Sequence, residues 1–236
     1  MMSQILDELT VIIPCKDDYL RIDENIEEIS NYLRKKIDSY EIIIVSNGSI
    51  KKSIDYLESI KSNFVNLEHL ILVEAGKGLA IRHGIKNARY KNILFIDADS
   101  SVKITEFDKF VSNGKLISGF VVGNRKNKYS ENINSPILRR ISGFLYLKLI
   151  KTLFELNYED TQCGFKAINR TIFRESTNFT TNGFSFDLEL FLLARKQNIK
   201  VSEVPVKYTH NSESKVKIAR DTIKMLFDLI NIYKQQ

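Results

Sequence analysis

The chain has 236 residues, 43% hydrophobic, with a formal net charge of +6 and a pI near 9.1, enough for one cored domain with an anionic partner. No run of 18 uncharged apolar residues occurs, which excludes a membrane-spanning helix, and Met1 to Glu8, with two acids and no base, does not read as a signal peptide. Two cysteines, Cys15 and Cys163, are too few for a disulfide framework and read as packed, reduced thiols of a cytoplasmic protein.

Strand-like apolar runs alternate with helical patterns over the first half. Leu9 to Pro14 reads as a strand, Ile22 to Ile37 as a helix and Glu41 to Val45 as the next strand. A helix near Ser53 to Lys61, a strand from Leu67 to Val73 and a helix from Gly78 to Arg89 follow. Asn92 to Ile96 closes the series. This rhythm predicts an α/β fold with a doubly wound, mostly parallel sheet and a ligand crevice at the strand carboxyl ends. Further on, Ile117 to Gly123 reads as a strand, Pro136 to Leu156 as a long helix and Phe165 to Ile168 as a strand. Phe186 to Gln197 reads as a helix, Val201 to Tyr208 as a strand and Lys215 to Tyr233 as a last helix. The polar stretch 125–135 reads as a loop.

Asp97-Ala98-Asp99 ends the fourth strand. Two carboxylates that close repel each other unless a cation lies between them, and a divalent ion bridging a diphosphate suits them. Three other predicted strand ends share that edge: Pro14-Cys15-Lys16-Asp17-Asp18, Ser46-Asn47-Gly48-Ser49 and Ala75-Gly76-Lys77-Gly78. Each taken singly is an ordinary turn. Together on one sheet edge they make a site, in which Gly-Lys-Gly entering a helix offers backbone N–H groups and a cation to phosphate. Neither a Walker loop nor a Gly-x-Gly-x-x-Gly dinucleotide fingerprint is present.

Val11-Ile12-Ile13-Pro14, Val45-Ser46-Asn47-Gly48-Ser49, Gly76-Lys77-Gly78 and Asp97-Ala98-Asp99 stand in the order and spacing of the GT-A glycosyltransferases of family two, which the chain resembles. Gly123-Asn124-Arg125, Arg139-Arg140-Ile141-Ser142, Asp160 through Lys166, Phe186-Asp187-Leu188-Glu189, Glu203-Val204-Pro205-Val206 and Ser214-Lys215 resemble its polyprenyl-phosphate sugar synthases, the dolichyl-phosphate glucose and mannose synthases among them. The resemblance implies one GT-A domain over 1–236. Its nucleotide-sugar half would span about 9–101 and its acceptor half about 102–236. It implies a metal-dependent, inverting transfer of a hexose from a nucleotide-diphosphate sugar, of UDP-glucose or GDP-mannose type, to a polyprenyl phosphate.

The same resemblance assigns roles. Pro14, Asp18 and Asn47 would border the nucleoside, with Asn47 where relatives have an aspartate. Ser46, in place of a further Asp, tilts the donor toward uridine. Lys77 would meet the diphosphate, Asp99 and Asp97 would hold Mg²⁺ or Mn²⁺, and Ser101 stands where some relatives add a third ligand. Arg125, Arg139, Arg140 and Ser142 would hold the acceptor phosphate, with Asp99, Arg125, Arg139 and Asp160 forming the catalytic set.

Asp160 admits two roles: beside a lipid phosphate, or as general base for a sugar hydroxyl if the acceptor is a saccharide. Asp187 and Glu189 line the donor site or satisfy backbone at a helix start. His210 is a structural residue or a diphosphate contact, while His69 and His83 have no supporting context. The mixture of Leu, Ile and Phe with Arg and Lys in 136–156 and 215–233 fits interfacial helices on an anionic membrane, at its cytoplasmic face, and fits core packing equally. A non-catalytic nucleotide- or RNA-binding module is the remaining alternative. No nucleic acid is expected, because Tyr129 beside Lys128 is the only aromatic hint of one.

Overall fold

The computed structural model describes residues 4–126, 137–173, 179–209 and 218–235, without the side chains of 20–21, 137–141, 172–173 and 218–222. Strand β1 (Leu6–Cys15), helix α1 (Tyr19–Lys36), β2 (Ile37–Asn47), α2 (Lys51–Lys61), β3 (Leu67–Leu72), α3 (Lys77–Asn87) and β4 (Asn92–Phe95) follow the expected rhythm. In α1, Ile22, Ile26, Ile29 and Leu33 recur at helical spacing and are buried. Each fully buried aliphatic contributes roughly 1.5–3 kcal/mol. The helix ends on Arg34, Lys35 and Lys36, cations that suit a helix carboxyl end. Ile37 opens β2 with no loop between, so both elements run longer than their apolar patterns alone indicate.

After β4 come a 3-10 helix (Ile104–Phe110) and a two-stranded ribbon of β5 (Val111–Ser112) and β6 (Lys115–Leu116), none of them expected. Then follow β7 (Phe120–Asn124), α4 (Ile137–Phe154), β8 (Lys166–Asn169), a second 3-10 turn, α5 (Phe186–Lys196), β9 (Val201–Pro205) and α6 (Ile218–Lys234). Strand β9 stops at Pro205, short of the expected Tyr208.

The sheet has seven strands in the order β3-β2-β1-β4-β8-β7-β9. Neighbours β3, β2, β1 and β4 are parallel, as are β7 and β9; β8 runs against both its neighbours. The parallel strands β1 and β2 bury both faces, which explains their unbroken Val and Ile runs. The reversal of β8 matters for the site. Its first residue, Lys166, pairs with Phe95 and Val122, so the segment entering β8 crosses the edge where the parallel strands end. One sheet edge therefore collects Asp97 and Asp99, Asn124 and Arg125, Asp160 to Lys166 and the residues after Pro205.

Candidate active site

Asp97 to Ser100 form a turn closed by the Ser100 N–H on the Asp97 carbonyl at 3.1 Å, with Ser100 at φ 48°. The Asn25 amide of α1 braces it through the Ala98 carbonyl at 2.6 Å. The turn aims Asp97 at Lys77, whose Nζ lies 2.6 Å from its Oδ1, the lysine side chain being 16% exposed. Burial opposes the charge on Lys77, and the carboxylates of Asp97 and Asp187 outweigh it, so its pKa is raised. Burial likewise works against ionised Asp97, yet Lys77, Lys166 and Arg125 together lower its pKa. One carboxylate thus sits in the field of three cations.

Two glycine positions make this arrangement possible. A Cβ at Gly164 would lie 1.7 Å from Asp97 Oδ2, so the chain entering β8 passes directly against the carboxylate. At Gly76 a Cβ would lie 2.3 Å from the Asn182 carbonyl, which also accepts the Leu79 N–H at 3.2 Å. Gly164→Ala is expected to push Asp97 off Lys77 and abolish turnover while the chain still folds. Retained turnover, with an unshifted melting temperature, would show that the carboxylate has another place to stand.

Deeper in, Lys166 is 1% exposed and donates to Asp187 Oδ1 at 2.8 Å and to the Cys163 carbonyl at 2.5 Å. An unpaired charge at that depth would cost several kcal/mol. Asp187 therefore neutralises Lys166. Glu189 accepts the N–H and hydroxyl of both Thr180 and Thr181, which satisfies the backbone leading into α5.

On the other flank, Arg125 Nε and Nη2 donate to Asp160 at 2.7 and 2.9 Å, and its N–H reaches the same carboxylate at 3.0 Å. The guanidinium lies over Tyr208, 5.3 Å from the ring centroid. Burial alone would raise the Asp160 pKa, but Arg125 overrides it and holds the carboxyl down at about 2. Glu203 Oε1 accepts the N–H groups of Glu159 and Asp160 at 2.8 and 2.9 Å and fixes the loop that carries the pair.

Asn47 bridges three strand ends. Its amide donates to the Cys15 carbonyl at 3.0 Å, and its Oδ1 accepts the Gly76 N–H at 3.1 Å. Ser46 Oγ lies 2.8 Å from His69 Nε2, whose Nδ1 lies 2.6 Å from Glu58. Burial lowers the His69 pKa against the pull of Glu58, so neutral His69 accepts from Ser46 and donates to Glu58. Pro14 is buried opposite Val45. Asp17 accepts the Ile50 N–H at 2.9 Å at the start of α2, and Asp18 precedes α1 without its carboxylate capping that helix.

Asp99 Oδ1 accepts the Ser101 N–H at 3.0 Å and its hydroxyl at 2.6 Å, so Ser101 orients Asp99. No group of three or more His, Cys, Asp and Glu that could hold a metal occurs among the described residues. Two half-exposed carboxylates at a strand end fit Mg²⁺ or Mn²⁺ that takes its other oxygens from a diphosphate and water.

The family model for Glycosyl transferase family 2 matches residues 10–177, which takes in every strand end of this edge except β9. The chain belongs to that family. It is a glycosyltransferase. It is 30% identical over 236 residues to dolichyl-phosphate beta-glucosyltransferase ALG5C of Trichomonas vaginalis, across 94% of this chain and 70% of that one. To dolichyl-phosphate beta-glucosyltransferase of Drosophila melanogaster it is 30% identical over 245 residues, across 96% and 74%. Among solved structures, mannosyl-3-phosphoglycerate synthase of Rubrobacter xylanophilus superposes with a TM-score of 0.74 at 15% identity, over 98% of this chain and 74% of that one. Glucosyl-3-phosphoglycerate synthase of Mycobacterium tuberculosis, in complex with Mn²⁺, UDP-glucose and phosphoglyceric acid, does so with 0.71 at 14%, over 97% and 80%. These two share the GT-A fold.

The glycosyltransferase thus brings Lys77, Asp97, Asp99, Arg125 and Asp160 to one edge, with Pro14 and Asn47 beneath it. Ser142 lies half-buried on α4. The side chains of Arg139 and Arg140 lie outside the described residues, as do His210, Ser214 and Lys215. Sequence reasoning passed over Lys166 and Gly164 as site residues. A lysine opening a β-strand was the available signal.

Proposed function

We propose that this glycosyltransferase moves a hexose, glucose before mannose, from a nucleotide-diphosphate sugar to a polyprenyl phosphate of dolichyl type. The observation that carries this reading is the Arg125–Asp160 pair. A saccharide hydroxyl needs a base, and Asp160, buried, doubly bonded to Arg125 and held near pKa 2, is a poor one. A phosphate monoester, with its second pKa near 6, brings its own anionic oxygen and needs only positioning. The relatives named dolichyl-phosphate beta-glucosyltransferase support the same acceptor and sugar.

We read the chain as one domain with a donor half to about residue 101 and an acceptor half beyond it. Pro14, Asp18 and Asn47 border the nucleoside, which we take as uridine. Lys77 takes a diphosphate oxygen, and Asp99 with Asp97 would hold Mg²⁺ or Mn²⁺. That ion would supply charge to the departing diphosphate. Asp160 fixes the plane of Arg125, and Arg125, Arg139, Arg140 and Ser142 would hold the acceptor phosphate. The phosphate oxygen attacks the anomeric carbon as its bond to the diphosphate breaks, inverting that centre. Such an acceptor is anchored in a bilayer, so the reading includes a peripheral place on a membrane, at its cytoplasmic face.

Label transfer to a short polyprenyl phosphate, from UDP-glucose and from GDP-mannose with Mn²⁺ or Mg²⁺, tests the reading. Chloroform-soluble product from UDP-glucose, lost with chelator and in Asp99→Ala, is expected. Donor hydrolysis without lipid product would move the acceptor to a saccharide.

A further inference from the structure

Arg82 stands one turn along α3 from Gly78, on the same side of the helix. A Cβ at Gly78 would lie 2.5 Å from Phe186 Cβ and 2.9 Å from the Gly183 carbonyl oxygen. Glycine there lets α3 press against the segment 179–183 that leads into α5. Arg82 then reaches across that segment. Its Nη1 donates to the Phe179 carbonyl at 2.9 Å and its Nη2 donates to Asn182 Oδ1. The guanidinium carbon lies 5.9 Å from the Phe179 ring centroid, and that ring is tilted against Phe186 with centroids 4.8 Å apart. A planar fork fits two acceptors three residues apart, a geometry that the single ammonium of a lysine does not reproduce.

What the guanidinium holds bears on Lys77. The Asn182 carbonyl accepts the Leu79 N–H at 3.2 Å and occupies the space where a Gly76 side chain would go. The Gly76 N–H in turn donates to Asn47 Oδ1 at 3.1 Å. The first turn of α3 is therefore pinned on both sides of Lys77, by β2 before it and by the segment 179–183 after it. Thr180 and Asn182 are exposed, so burial does little to fix that segment and polar bonds must. Glu189 holds Thr180 and Thr181. Arg82 holds the residues on either side, Phe179 and Asn182.

We propose that Arg82 is a positioning residue of this glycosyltransferase. By holding Asn182 it fixes the first turn of α3, and through that turn it aims Lys77 at the donor diphosphate. The inference rests on the reading that Lys77 takes a diphosphate oxygen.

UDP affinity, measured calorimetrically in the wild type, Arg82→Met, Lys77→Met and the double variant, tests it. Arg82→Met should weaken UDP by about tenfold, raise the donor KM by a like factor and leave the acceptor KM alone. In the Lys77→Met background the same change should cost less than about twofold, because residues that act through one another are not additive. Arg82→Lys should not restore affinity. Asn182→Ala, which leaves α3 and the Asn182 carbonyl in place, should weaken UDP as well, with far-UV circular dichroism unchanged. A role in stability alone would lower the melting temperature and the active fraction, hence kcat, with the donor KM unmoved. That result, or equal losses in both backgrounds, would overturn the proposal. If Lys77→Met itself leaves UDP affinity unchanged, the diphosphate reading fails and the proposal falls with it.

Discussion

Asp160→Asn is expected to lower stability and acceptor-side function together. The carboxylate is 1% exposed and takes two guanidinium bonds and a backbone bond from Arg125. Removing one partner of a buried pair strands the other, at a cost of about 3–5 kcal/mol. For a chain of this size that is a fall of roughly 10 °C in melting temperature. The sign with pH follows from the depressed pKa, about 2 against an ordinary 3.8. The pair's contribution is complete above the unfolded value and is lost as pH falls from about 4 to about 2. Acid titration of the melting temperature should therefore slope in that window in the wild type and flatten in the variant. A general-base role makes the same forecast for stability, since the pair is lost either way, and a different one for function: turnover lost with donor binding intact. Arg125→Met with Asp160→Leu separates the two effects. Replacing both charges by apolar groups should recover much of the stability and none of the transfer.

Continuous apolar runs, of Ile and Val in β1 and β2 and of Ile, Leu and Phe in β4, made the parallel half of the sheet legible, because strands buried on both faces leave no polar alternation. The ribbon of β5 and β6 and the 3-10 helix before it escaped, since two-residue strands have no period to read. Residue types at the edge were legible too: Lys77, Asp97, Asp99, Arg125 and Asp160 all stand there. Their pairing was not. Whether Arg125 faces a ligand or Asp160 depends on β8 running against its neighbours, a property of topology that no local spacing encodes. Asn47 illustrates the same limit. Read as a contact for the base, it spends both ends of its amide on the Cys15 carbonyl and the Gly76 N–H. His69 has no context in the local sequence because its partners, Ser46 and Glu58, lie on β2 and α2.

Lys77→Met is expected to tighten Mn²⁺ binding by the donor-free chain and to weaken UDP. Lys77 Nζ stands 2.6 Å from Asp97 Oδ1, so one of the two carboxylates proposed to hold the ion already has a cation. A unit charge about 4 Å away is worth roughly 4 kcal/mol at an effective dielectric near 20. Asp97 is 39% exposed on its side chain, so solvent screening leaves only part of that. A tightening of about tenfold is the reasonable expectation. Donor diphosphate would draw Lys77 away and release Asp97, which makes metal and nucleotide mutually cooperative, each raising the other's affinity by one factor. Titration of Mn²⁺ by electron paramagnetic resonance, without and with UDP, reads both quantities. The wild type should show weak Mn²⁺ binding alone and strong coupling to UDP, and the variant should show tighter binding alone and less coupling. A general loss of positive charge would be screened at high salt, whereas release of a contact partner should persist there. Unchanged Mn²⁺ affinity in Lys77→Met would mean that Asp97 is not the carboxylate the lysine withholds, and the ion would then rest on Asp99 with the diphosphate and water.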